Sequence, residues 1–407
     1  YTPNSPKKAD VFDMDIAGGD LWTAAGGRNL SWGNIWKTGS LSSFIDGSWQ
    51  TIDNQSTPAM DSILDMVSVA VNPFDVKQVY GGSWHLGLAE FYGHEFQVLY
   101  TPENSSLEYK ANQGPPICKV GGMQFDEAGN LWMTNSGANN ILSVKLNDGS
   151  ENGSWQSYYL GSQSSGKDIG KMIIDSYGQK WILWREHSIV VFNDGGTPSD
   201  LSDDQVKHLS SAQGNGALPG TKVFSIAEDL DGEIWIGTDE GIGVIYSPEN
   251  VFSQYNFDAQ RILIPRNDGT GLADILLEFE TITDIKVDGN NDKWIGTDRS
   301  GVYLFSEDGL VEKHHFTAEN SPLFSNNITS LAVNGSNGEV FIGTSNGIIS
   351  YKGTATDGGT ENSGVYAYPN PVRPEYTGPI AIRGLVANAD FKVTDISGSL
   401  IYSGRAE

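Results

Sequence analysis

One cysteine in 407 residues, Cys118, excludes an intrachain disulfide and any zinc site built on cysteines. Its setting, Ile117 to Val120, is strand-like and reads as a buried, inert thiol. No run of about 18 uncharged apolar residues is present, which gives no membrane-spanning helix. No long segment keeps a helical period, which excludes a bundle or coiled coil. Positive charge is scarce: 25 Lys and Arg stand against 51 Asp and Glu, a net charge of −26. Such a surface repels phosphates and argues against nucleic acid and anionic lipid as main partners, leaving neutral glycans, cations and basic protein patches. Catalytic signatures are missing too. There is no nucleophile elbow, P-loop, HExxH or EF-hand loop, and the Gly214-Asn215-Gly216 trace lacks a third glycine. No cofactor is implied. The chain starts at Tyr1 without a signal peptide, as expected of a mature or internal fragment.

What is abundant is glycine, 49 residues, and tryptophan, 11 residues, with aromatics at 11%. They recur in one pattern: an apolar run, Asp or Asn, a Gly-rich turn, then an aromatic followed by small residues. The copies FDEAGNLWMT (125–134), IDSYGQKWIL (174–183), EDLDGEIWIGT (228–238), VDGNNDKWIGT (287–297) and VNGSNGEVFIGT (333–344) follow two weaker ones at 15–27 and 71–83. The aromatic anchors are Trp22, Tyr80, Trp132, Trp181, Trp235, Trp294 and Phe341, spaced 47 to 59 residues apart. Propeller blades repeat at about 40–50 residues, and loops add the rest. Each copy reads as strand, turn, strand, turn, strand: Val223–Asp229, Glu233–Thr238 and Gly241–Ser247 in the third strong copy, with Phe252–Phe257 as a fourth. The expectation is an all-β chain, a seven-bladed β-propeller over residues 1–352, its Trp anchors filling the wedges between blades. The last blade shows only three strands, so its fourth is expected from residues 1–10, on an outer edge where Pro3 and Pro6 are tolerated.

Four tryptophans escape the repeat or its outer strands: Trp32, Trp36, Trp84 and Trp184. All fall in loops joining second to third strands, which emerge on one face of the disc. The same loops carry Arg28, His85, Asn135, Asn139, Asn140, Arg185, Glu186, His187, Asp239, Glu240, Asp298, Arg299 and Asn346. Aromatic platforms with amides and charges suit a glycan or peptide, and this face is the expected ligand surface, with Trp32, Trp36, Trp84, His85, Trp184, Arg185, Glu186, His187, Asp298 and Arg299 as its candidates. The competing reading is that long loops fold their own tryptophans into local packing. The opposite face, with short repetitive Asp-Gly turns, offers little distinctive shape. Asp229, Asp231, Asp288 and Asp292 in those turns mimic the start of a calcium loop, but Asp-Gly is also good turn chemistry and no closing bidentate carboxylate follows. No metal is expected.

GEIWIGTDEGIGVI (232–245), DKWIGTDRSGVYLF (292–305) and GEVFIGTSNGIISY (338–351) resemble the two-component-regulator propeller repeat. After a Gly- and Thr-rich linker (353–364), the tail carries YPNPV (368–372), IAIRGL (380–385) and VTDISGSLIYSG (393–404), which resemble the start of the small C-terminal β-sandwich of type IX secretion proteins. Propeller and tail together resemble the PorZ-like surface propellers of Bacteroidetes type IX secretion. The resemblance implies a partial, Ig-like β-sandwich over 365–407, truncated here, and an earlier propeller before this one. It implies an exported, periplasmic or outer-membrane surface location and a non-enzymatic binding or scaffold role. The implied partners are proteins of an attachment complex, including a sortase-like transpeptidase, and lipopolysaccharide or another glycan. Two alternatives stay open: the oligosaccharide-sensing propeller of a hybrid two-component system, and a propeller lyase or glycosidase using Glu186 and His187.

Overall fold

The computed structural model describes all residues except 1–3, 114–115, 151–152, 186–187, 359–364, 374–375, 379, 387–388 and 406–407. Seven antiparallel sheets follow one another along the chain and close into a ring, a seven-bladed propeller. The first blade is Asp13–Ala17, Asp20–Ala25, Ser40–Ile45 and Ser48–Ile52 from axis to rim. The inner strands of the others are Met66–Val71, Lys119–Phe125, Ile169–Ile174, Val223–Glu228, Ile282–Val287 and Ile328–Asn334. All seven anchors are buried, Trp132 and Trp181 completely.

The repeat motif encodes three contacts. Asp126, Asp175, Asp229 and Asp288 each accept the indole N–H of the tryptophan six residues on, at 2.8, 2.8, 3.0 and 3.0 Å. The other oxygen of each carboxylate accepts backbone N–H groups of its own turn. The glycine after the anchor lets the next blade approach: a Cβ on Gly237 would meet Ile282 at 2.6 Å, and one on Gly296 would meet Ile328 at 2.6 Å. The threonine that follows closes the next loop, its hydroxyl donating to the carbonyls of Gly241, Gly301 and Gly347. In the first blade Ile16 stands where the aspartate would be, and the Trp22 indole N–H has no acceptor.

Two expectations fail. Phe252–Phe257 is not the outer strand of the fifth blade. Pro248–Asn250 forms a short 3-10 helix, Phe257–Asp258 pairs in parallel with Asn215–Gly216, and only Gln260 bridges the third strand, at Val244. Prolines and a long insertion, which includes the Leu263–Pro265/Ala273–Ile275 hairpin, break the run there. Nor does the N-terminal segment complete the last blade. Residues 4–10 lie along the first blade: Asn4 donates to the Gly47 carbonyl, Lys7 pairs with Asp53 at 3.0 Å and Lys37 pairs with Asp10. Lysines opposite acidic residues of the first blade and an early turn into Val11 give this segment a nearer partner than the last blade. Among the described residues no strand lies outside Gly347–Lys352.

Residues 353–358 turn inward across the face of the Asp-Gly turns. Gly353 N–H donates to the Gly338 carbonyl and Asp357 N–H to that of Gly335, at 2.9 and 2.8 Å, and Ala355 is buried. Beyond them two hairpins, Tyr366–Tyr368/Ala381–Arg383 and Asp390–Thr394/Leu400–Arg405, fit part of a β-sandwich.

Candidate functional site

The long first-blade insertion, residues 26–39, does not reach into solvent. It folds over the axis and caps the central channel. Its fixed point is Asp65, fully buried, whose carboxylate accepts the backbone N–H groups of Ile35, Trp36 and Lys37 and the amide of Asn34, at 2.8 to 3.2 Å. From this base Trp32 crosses to the fourth blade, where a Cβ on Gly170 would sit 2.7 Å from its ring. Arg28 stacks on Trp32 at 3.2 Å, and the Arg185 guanidinium of the fourth blade donates to the Leu30 carbonyl. Burial pushes Arg28 down to about 9, and Lys119, behind it, down to about 8.

The loop-face candidates therefore separate. Trp32 and Trp84 are packing residues, 7% and 0% exposed; the Trp84 indole N–H donates to the Trp32 carbonyl at 2.7 Å. In this structure neither offers a platform to a ligand, because the insertion needs an apolar floor where it crosses the axis. Trp36 is exposed at 59% and leans edge-on against His85, whose Nδ1 is buried without a partner. Burial lowers His85. Trp184 is half-buried, its edge toward His208. Arg185 faces Asp168 at 3.7 Å. Asp298 accepts the Asn327 amide at 2.6 Å, and Arg299 projects into solvent beside it. Asn135 is wholly spent on the Glu108 and Lys119 backbone. Glu186 and His187 lie outside the described residues.

The carboxylates weighed for calcium have other work. Asp229 serves Trp235, its own turn and the fully buried Lys293 at 2.9 Å; Asp231 accepts the Asn291 amide; Asp292 pairs with Lys313. Among the described residues no cluster of three metal-ligating side chains exists.

Sequence reasoning missed the channel. Below the cap, Lys171 of the fourth blade spans the axis to Asp13 of the first, 3.2 Å, and Asp284 of the sixth, 3.4 Å. Burial opposes its charge, but the two carboxylates outweigh it and raise its proton affinity. Asp13 and Asp284 also accept the N–H groups of Val69 and Leu331, tying first blade to second and sixth to seventh. The available signal was a charge ten residues before Trp181 and Trp294, where other copies hold small or apolar residues. Beyond this triad a cavity of about 540 Å³ runs between the inner strands, bordered by Pro73 and Leu230 of the turn face.

A model of the two component regulator propeller family matches residues 217–240. Among solved structures, PorZ, an essential bacterial surface component of the type IX secretion system of Porphyromonas gingivalis, is similar over 100% of this chain, at 30% identity and a TM-score of 0.78. This chain spans 55% of that one. The extracellular domain of the hybrid two-component system BT3049 from B. thetaiotaomicron matches 86% of the chain, and 41% of its own, at 17% identity and a TM-score of 0.57, which establishes shared fold alone. A histidine kinase P4 of Formosa agariphila is 34% identical over 96 residues, 24% of this chain and 6% of that protein. The chain is thus PorZ-like along its length and carries a two-component-regulator propeller match in its fifth blade. Among the described residues no helix is long and apolar enough to cross a membrane.

Proposed function

We propose that the protein is a non-catalytic binding and scaffold propeller at the outer-membrane cell surface, working within a type IX secretion attachment complex. The observation that carries this reading is the similarity to PorZ over the whole chain, tail included, where the kinase match covers a quarter. Its partners are proteins of that complex, a sortase-like transpeptidase among them, and a surface glycan such as lipopolysaccharide. The glycan surface is the outer layer of the loop face: Trp36, His85, Trp184, Arg185, Asp298 and Arg299, with Glu186 and His187 in the same loop as Arg185. Trp32 and Trp84 support it from beneath. The arginines supply the local positive charge an anionic glycan needs on a protein of net charge −26.

The test is deletion of the gene in its host. Secreted cargo should leave the cell surface and appear unattached, and restoring the gene should return it. Cargo that stays attached overturns the reading. The kinase match favours a second reading, a sensing propeller; deletion would then abolish a transcriptional response to oligosaccharide and leave cargo in place.

A further inference from the structure

The two ends of the channel differ. The loop end is sealed by Arg28, Trp32 and Trp84 and, one layer below, by the Lys171 triad. The cavity is consequently a blind pocket with its mouth on the turn face. The turns around that mouth are fixed to one another. Ser176 N–H donates to the Glu228 carboxylate at 2.8 Å, Leu230 N–H to the Asn291 side chain at 2.9 Å, and the Asn334 amide to the Gly19 carbonyl at 3.3 Å. These bonds hold the turns of the fourth, fifth and sixth blades together and tie the seventh to the first.

Its composition is unusual for turns. Phe74, Tyr177 and Leu230, from the second, fourth and fifth blades, stand exposed on it at 64%, 54% and 56%. Leu230 borders the cavity, as does Pro73 beside Phe74, so exposed apolar side chains stand in the turns around a polar centre, the anatomy of a docking site. The charge around them is mainly acidic. Asp13, Asp15, Glu228 and Asp284 line the cavity against Lys171 and Lys286, and the neighbouring turns add Glu127, Asp231 and Glu233. Burial first, and neighbouring carboxylates after it, raise the proton affinity of Glu228, Glu233 and Asp357, while burial raises that of Asp15 against the pull of Lys286.

We propose that the turn face docks a basic segment of a partner protein, apolar side chains over Phe74, Tyr177 and Leu230 and a Lys or Arg cation entering the channel mouth beside Asp15. The inference rests on the scaffold reading for the existence of a partner and adds its chemistry and its face.

Two measurements test it. In the first, the purified protein is titrated with an amidated Lys-Phe-Lys peptide and its Glu-Phe-Glu counterpart. Only the basic peptide should bind, more weakly as salt rises. The triple variant Phe74→Ser, Tyr177→Ser, Leu230→Ser should weaken it by about tenfold or more, as should Asp15→Asn, whereas Trp36→Ser on the loop face should not. All three rim side chains are exposed, so the triple variant keeps its core, and circular dichroism verifies this. Equal binding of both peptides, or undiminished binding by the folded triple variant, overturns the proposal. In the second, the triple variant replaces the wild type in the host and co-isolation with the transpeptidase is measured. Loss supports the turn face as the docking surface. Retained co-isolation, with cargo still lost in the deletion strain, leaves the scaffold role standing and sinks this docking face; cargo unaffected by deletion sinks the scaffold role itself.

Discussion

Replacing Asp229 with alanine strips the buried Trp235 indole of its acceptor and the buried Lys293 ammonium of its counter-charge, leaving it only the neutral oxygens of Asn291. An unpaired charge at a site with no solvent access is the larger loss, and the substitution should cost about 3–5 kcal/mol, measured by urea unfolding. Asp229→Asn keeps an acceptor for the indole and should cost less. The aspartate and its tryptophan were both visible in the sequence, but their hydrogen bond was not, because a spacing of six carries meaning only once the hairpin between them is known. Next to this pair, Glu233 is pushed up to about 7, by burial first and by Asp229 next, with Lys293 opposing. A carboxyl whose folded pKa lies above its unfolded value stabilises the fold below the unfolded value, and that contribution fades as pH rises through 7. The melting temperature should therefore fall between about pH 4.5 and 7 and level off above, and Glu233→Gln should flatten that slope. An unchanged slope in the variant would assign the dependence to other groups.

The capping insertion depends on a residue that no periodicity marks. Asp65 lies between two repeats, yet its carboxylate organises four donors of residues 34–37. Asp65→Ala should cost about 2–3 kcal/mol and loosen the cap, so that the tryptophan fluorescence gains an acrylamide-quenchable fraction as Trp84 and Trp32 become accessible. A protein that loses stability without that new fraction would show that the cap stays seated without its carboxylate. At this scale the length of the insertion and its surplus tryptophans were legible, while its direction was not. Whether a loop reaches outward or folds over the axis is decided by contacts with Gly170 and Arg185, more than 130 residues away in the chain. The same limit explains the loop-face candidates: Trp36 and Trp84 look alike in sequence, and only the position of the cap makes one surface and the other core.

At the scale of the whole ring, blade number was legible because each anchor sits in a hairpin whose contacts are local. Closure was not, because it joins the two ends of the chain. The seam between last and first blades is held by Val11, Met14, Leu21, Ala332 and Phe341, with Phe44 set edge-on to Phe341 at 5.9 Å. The Asn334–Gly19 bond is the polar link at the turns. No described strand bridges the seam as a shared sheet would, and Phe341 lacks the indole–aspartate bond that fixes four other anchors. A ring opens where the fewest interactions must break together, which makes this seam the weakest cooperative boundary. Hydrogen exchange under native conditions should be fastest, among blade strands, in Gly347–Lys352 and next in Ile328–Asn334 and Asp13–Ala17, while Lys180–Trp184 and Ile234–Thr238 stay protected to the global unfolding limit. Phe341→Ala should accelerate exchange on both sides of the seam, by about 3 kcal/mol of lost protection, and leave the fourth and fifth blades at the wild-type rate. Uniform exchange across all seven blades would mean that the ring opens as a single unit and that the seam is as strong as any other blade boundary.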